Sequence, residues 1–548
     1  MSRLPLTILA AALAVTPALE AQGDAAHGAH EHSAAAPGAG VPLYDDLGTL
    51  HYPVRAASPS AQAYFDQGLR LYWAFNHEES FRAFAEAERL DPACALCVAG
   101  QALALGPNIN APMDSATGVR AGGIAARAER LAEGGDARER GIVAALVARY
   151  ATGAARATAD SAWAEAIGQL ADEYPADLEL QALHAEALMD LSPWHYWEKN
   201  GTARPATPVI LGRLERAMAK DPNHPGACHL FIHAVEAKDP VAAVPCAERL
   251  AALMPGAGHL VHMPGHIYIR VGRYRDAIEA NRHAVHADQH LFEGPAGQAK
   301  GLYALAYYPH NWHFMAFAAS MAGQSKVALE AARQVAASVG YEVARQQPWV
   351  EGVTPIVWWT MVTFGQYDAI LAEPLPPADL RYTYGMAQYA RGVALAAAHR
   401  WSEALAAGDT VSAVAAAMPA GDNQVAMRIA ARMVLGEVAL RQGKPREAVR
   451  LFREAMFLED GLGYMEPPTW YFPVRHSLGK ALLLINQPAE AERVYRQDLA
   501  RFPENGWSLK GLELALRAQG KKAEAVQVAA RFRAAWEGAD VELTASRF

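Results

Sequence analysis

Small and bulky apolar residues recur at fixed intervals along most of residues 58–536. Gly68 is followed by Ser80, Phe84, Ala87 and Pro92, at offsets of 12, 16, 19 and 24. Gly436, Ala448, Phe452 and Ala455 repeat the first three offsets, and Gly479, Ala491, Tyr495 and Pro503 repeat three of the four. Gly511 with Ala523 and Ala530, and Gly265 with Ala277 and Ala284, are further copies; Gly392 with Ala404 is a weaker one. This spacing predicts pairs of antiparallel helices that cross closely where small residue meets small residue. Bulky neighbours fill the gaps and a proline ends the unit. Three stretches break the pattern and read as loops: 106–123, 191–208 and 461–473. Loops this long are functional or disordered. The aromatics of the last two would line a groove or cover the edges of the fold.

Ahead of the repeat, Arg3, an apolar run over 4–19 and small residues at Ala18 and Ala21 predict a signal peptide over 1–21. Residues 22–41, with His27, His30 and His32, read as a flexible His/Ala/Gly-rich tail, a plain linker or a weak metal-gathering tract. Residues 42–57 form a lead-in. No later segment offers about 20 uninterrupted apolar residues, so no membrane span is expected. The mature chain is expected to be periplasmic or secreted. A 52% hydrophobic composition suffices for a large core. The net charge of -9, with no basic stripe, argues against nucleic acid as a partner. No P-loop, dinucleotide fingerprint or nucleophile elbow is present, so no nucleotide cofactor is expected.

The repeat resembles the tetratricopeptide repeat, with its small residues at positions 8, 20 and 27 and its proline at 32. The resemblance implies an all-α fold, a right-handed superhelix of about nine to twelve helix pairs. Residues 58–370 would form an N-terminal and central solenoid with a His-rich groove, and 371–548 a C-terminal solenoid and cap. The chain is also similar to a group of exported bacterial tetratricopeptide proteins. The phrases that carry this are FNHEESFRAFAEAERLDPACALC, HPGACHLFIHAVEA, PGAGHLVHMPGHIYIRVGRY and EPPTWYFPVRHSLG. That likeness implies fold and export, and leaves the chemistry to the residues.

Residues 224–313 hold eleven of the twenty histidines, at spacings of three and four that share a helix face. In the tetratricopeptide family, positions 2, 5 and 9 of the first helix line the concave groove and hold the ligand, often a peptide end. In that register His259, His262 and His266 fall at 2, 5 and 9, and His310 and His313 at 2 and 5. His229 and His233 fall near 6 and 10, with Glu236 three residues on. Pro264 must start or kink a helix inside this set. At least three of these seven imidazoles are expected to converge on a transition metal, Zn, Cu or Fe. Glu236 is the candidate carboxylate ligand or general base. Glu179 and Glu186, at positions 2 and 9 one unit earlier, would add an acidic groove wall or remain solvated carboxylates. His283, His286 and His290 fall on a second helix and read as a solvated or inter-helix stripe. His184 reads as a packed core residue and His224 as a loop residue.

Cys94 and Cys97 form a CxxC with no histidine after it, so a haem c signature is absent. The pair reads as a structural disulfide or a free pair, with redox catalysis or metal binding as the alternative. The register puts Cys228 at position 5 and Cys246 at 23, facing each other, and predicts a disulfide between the two helices. Three functions stay open: a scaffold for a protein or peptide, a metal-dependent hydrolase or oxidoreductase, and a metal-free assembly factor.

Overall fold

The computed structural model describes residues 40–293 and 301–548. The signal-like segment 1–21 and the tract with His27, His30 and His32 lie outside the described residues. Within them the chain is all α: antiparallel helix pairs stack into a superhelix. No strand is present among the described residues, only the isolated bridges Asn108–Ala111 and Trp197–Ala203. No helix there is long and apolar enough to cross a membrane.

The first pair shows how sequence makes the unit. Ser58 caps Pro59–Trp73, its side chain accepting from the Ala61 N–H, and proline takes the first helical position, where an N–H is not needed. Asn76 caps His77–Leu90 in the same way. The helices then cross at Gly68. A Cβ there would lie 2.7 Å from the Phe84 ring, and one at Gly100 of the following helix 2.6 Å from the same ring. Phe84 is thus a wedge between two glycine-bearing helices. Tyr495 repeats the device between Gly479 and Gly511, each of whose Cβ would meet it at 2.2 Å, and Gly436 faces Phe452.

The last copy departs from the predicted register. Ala523 and Ala530 are exposed, while Ala525 and Ala529 are buried. The turn explains it. The second helix is capped eight residues after the crossing glycine at Asn76, Lys444 and Gln487, but ten residues after Gly511, at Lys521. The inward face shifts by two positions.

The loop expected over 106–123 is shorter, because Asp114 caps a helix over Ser115–Ala132. The 191–208 stretch gives way to the Thr207–Lys220 helix, and 461–473 runs up to Val474–Leu484. Pro264 begins a helix, Pro264–Arg270, directly after Gly258–His262. Later parts of the chain fold back on earlier ones. Trp507 Nε1 donates to Ser320 O at 2.9 Å, and Asp540 accepts from the Ser325 and Lys326 N–H groups at 2.7 and 3.0 Å.

Candidate metal centre

Three helical segments, with the short break at Met263 inside the second, deliver the histidines. Pro225–Val235 carries His229 and His233 one turn apart, with Glu236 at its C-cap. Gly258–His262 carries His259 and His262, and His266 follows on Pro264–Arg270. His310 and His313 stand on Tyr308–Met321. Ligand-capable atoms fall into three overlapping groups, each within 4.8 Å: His229, His233 and His259; His262, His266 and His310; and His233, Glu236 and His266. His313 joins none of them. His229, His233, His259, His262 and His266 are at most 3% exposed, and His310 is half-buried.

Most of the rings are pinned from behind. His229 Nδ1 donates to the Trp73 carbonyl at 2.7 Å. Asn281 Nδ2 donates to Ala277 O, so its Oδ1 accepts from His262 Nδ1, at 2.7 Å. Glu236 accepts from His233 Nδ1 at 3.1 Å through one oxygen and from His266 Nδ1 at 2.5 Å through the other. A neutral ring whose Nδ1 donates keeps its lone pair on Nε2, the arrangement that orients metal-binding histidines. Nε2 of His229 and His233, and both nitrogens of His259, are buried without a hydrogen-bond partner.

Burial pushes His229, His233, His259, His262 and His310 well below their ordinary 6.5, and neighbouring imidazoles add to it, so these rings are neutral at pH 7. His266 goes the other way. Burial opposes its charge, but Glu236 and Glu466 outweigh it and raise it to about 9. The charged ring points Nε2 at His262 Nε2, 2.8 Å away. A proton there lies between two nitrogens that a metal ion would take instead, and binding would release it.

Aromatic rings roof the cluster. Phe75 packs against His229, His233 and His259, with centroids 4.4, 6.2 and 5.5 Å away. It sits at φ 55°, in the turn position held by Gly272, Gly443 and Asn486 in other units. A phenylalanine there costs roughly 1–2 kcal/mol, and what it gains is this contact. Phe314 packs against His262, His266 and His310 at 4.6, 4.4 and 4.8 Å. Trp194, from the 191–206 loop, meets His233 edge-on at 5.0 Å. The 461–473 loop brings Glu466 to 3.5 Å from His266 Nδ1.

The acids of the preceding unit are buried. Glu179 accepts from Trp73 Nε1 at 2.8 Å and lies 3.1 Å from His224 Nε2, and Glu186 accepts from Tyr72 OH at 2.5 Å. Glu179 thus backs Trp73, whose carbonyl holds His229. His283, His286 and His290 are exposed, and His184 is packed in the core. His224 caps Pro225–Val235 through its ring Nδ1. Cys94 and Cys97 are joined as a disulfide at the start of Ala95–Ala104. The Cys228 and Cys246 sulfurs face each other at 2.7 Å, unbonded. Sequence reasoning missed Phe75, Asn281, Phe314 and Glu466. Phe75 carried a signal: a large apolar side chain where three other units place glycine or asparagine and a fourth His399.

Fold and site together define the class: an all-α helical-repeat protein with a buried polyhistidine cluster. No family model and no curated protein matches the chain. Among solved structures it is similar to the human IFIT1 dimer with m7Gppp-AAAA, at 12% identity over 89% of this chain and 92% of that one, TM-score 0.33. Yeast Tom70 is similar at 11% identity over 86% and 93%, TM-score 0.29, and the TPR domain of P58(IPK) at 13% over 84% and 98%, TM-score 0.22. Identities and scores this low say nothing about chemistry; the fold is read from this chain's own helices.

Proposed function

We propose that this chain is an exported helical-repeat scaffold whose groove holds a polyhistidine transition-metal centre and receives a protein, peptide or small ligand. One observation carries the reading. His229, His233 and His259 each offer a ligand-capable nitrogen within 4.8 Å of the others, and each has a buried ring nitrogen without a hydrogen-bond partner. Leaving one such nitrogen unpaired costs about 1–3 kcal/mol; three together are what an ion repays. Imidazole donors suit Zn, Cu or Fe. Such an ion would supply Lewis acidity or, for Cu and Fe, redox chemistry. Both oxygens of Glu236 are taken by imidazole N–H groups, which favours a positioning role over that of a general base.

A second reading, a metal-dependent enzyme, draws on a cleft beside the cluster. Arg270, Tyr464, Glu466, Trp470, Arg501 and Phe502 line it, and Glu466 is shared with His266. The test of the main reading is elemental analysis of full-length protein purified without a His-tag. Bound transition metal is expected, and a fall in its content in His262→Ala plus His266→Ala. Metal-free wild-type protein that stays empty when offered Zn or Cu, or metal content unchanged in the double variant, sinks it. Protein pull-down by such metal-free material would then leave the assembly factor standing.

A further inference from the structure

Resting on the metal-centre reading, we infer that the groove is built for two transition-metal ions side by side, one held by His229, His233 and His259, the other by His262, His266 and His310. The two triads share no residue. They are also built alike. Each takes a pair of histidines four residues apart from one helical stretch and a third from the next: His229 and His233 with His259, then His262 and His266 with His310. The second pair follows the first by 33 residues at both positions, close to the length of one repeat. The fold has therefore written the same half-site twice, one unit apart.

The surroundings repeat as well. In each triad the first ring donates Nδ1 to a fixed oxygen, the Trp73 carbonyl for His229 and Asn281 Oδ1 for His262. In each, the second ring donates Nδ1 to Glu236, which spans the two halves with one oxygen apiece. A phenyl ring covers all three imidazoles in each case, Phe75 over the first and Phe314 over the second. One ion does not accommodate all six rings. Donors at about 2.0–2.1 Å from a common ion lie at most about 4.2 Å apart, and the six rings gather as two triads joined only through the His233, Glu236 and His266 group. The halves are nonetheless adjacent. The His233 and His266 ring centroids are 5.2 Å apart and those of His259 and His262 5.7 Å, so the two ions would be near neighbours with Glu236 as positioning residue for both. Three imidazoles leave each ion an open position, which suits a small ligand bridging the pair.

The experiment titrates chelator-stripped, tag-free, full-length protein with Cu(II), reads bound metal by elemental analysis after desalting, and records the electron paramagnetic resonance signal. Two equivalents are expected, with a spin signal well below that of two isolated ions because the neighbours couple. His259→Asn and His310→Asn should each bind one equivalent and show an undiminished single-ion signal. His310 is half-buried, so its variant perturbs packing least; circular dichroism checks that both are folded. One equivalent in the wild type, or loss of all metal from a folded His310→Asn protein, overturns the two-ion inference and leaves the metal scaffold standing. No bound metal at all overturns both.

Discussion

Glu236 acts on two imidazoles at once, and its substitution separates orientation from ligation. Glu236→Gln keeps the shape but removes the charge that holds the Nδ1 protons of His233 and His266. Losing such an outer partner typically costs about 10–100-fold in metal affinity. Chelator competition against Zn should show that loss with helix content unchanged; unchanged affinity would place Glu236 outside the centre. The histidines themselves were legible, because spacings of three and four residues need only helical geometry to be read. What holds them was not. Trp73 contributes a backbone carbonyl, which no side chain advertises, and Asn281 and Phe314 pack from neighbouring helices. Glu466 arrives from the 461–473 loop, far along the chain, and only the superhelix brings it back.

At the level of helices, the crossing glycines set how closely neighbours approach. A methyl group at Gly511 would overlap Tyr495, which Gly479 already presses from the other side. Gly511→Ala should destabilise the 488–535 region by roughly 1–3 kcal/mol through overpacking. Urea unfolding with a lower midpoint checks it, and an unchanged midpoint would mean that Tyr495 moves aside freely. These crossings were readable because a glycine and its aromatic partner lie 16 residues apart inside one unit, as for Gly479 and Tyr495. The final helix was misread because its turn is two residues longer, a length that no residue type signals. The same register brought Cys228 opposite Cys246. With the sulfurs at 2.7 Å, oxidising conditions are expected to link Pro225–Val235 to Val244–Leu253. Non-reducing peptide mapping after mild oxidation should recover the crosslinked pair, and two alkylatable thiols would refute it.

Across the whole molecule, residues 540–548 tie distant units together. Arg547 Nε lies 3.2 Å from Glu437 Oε1 with both side chains 2% exposed, and Ser546 Oγ donates to the His476 carbonyl at 2.8 Å. Arg547→Met strands the Glu437 charge, which Arg441 meets only at 3.6 Å. The expected loss is about 3 kcal/mol, read as a lower unfolding midpoint; a variant as stable as the wild type would show the pair to be replaceable. The deep placement of the imidazoles has a consequence in time rather than in energy. His229 and His262 expose none of their surface, so on the metal-centre reading an ion held by them would reach solvent through neither ring and would depart as packed helices part. Its release is then timed by the protein's own breathing. Stripping by a strong chelator should proceed at a rate that stops rising once chelator is in excess, and should accelerate in dilute urea. An ion that left in proportion to chelator at every concentration would instead sit at an open surface. A centre buried in this way would load and unload only as fast as the fold opens.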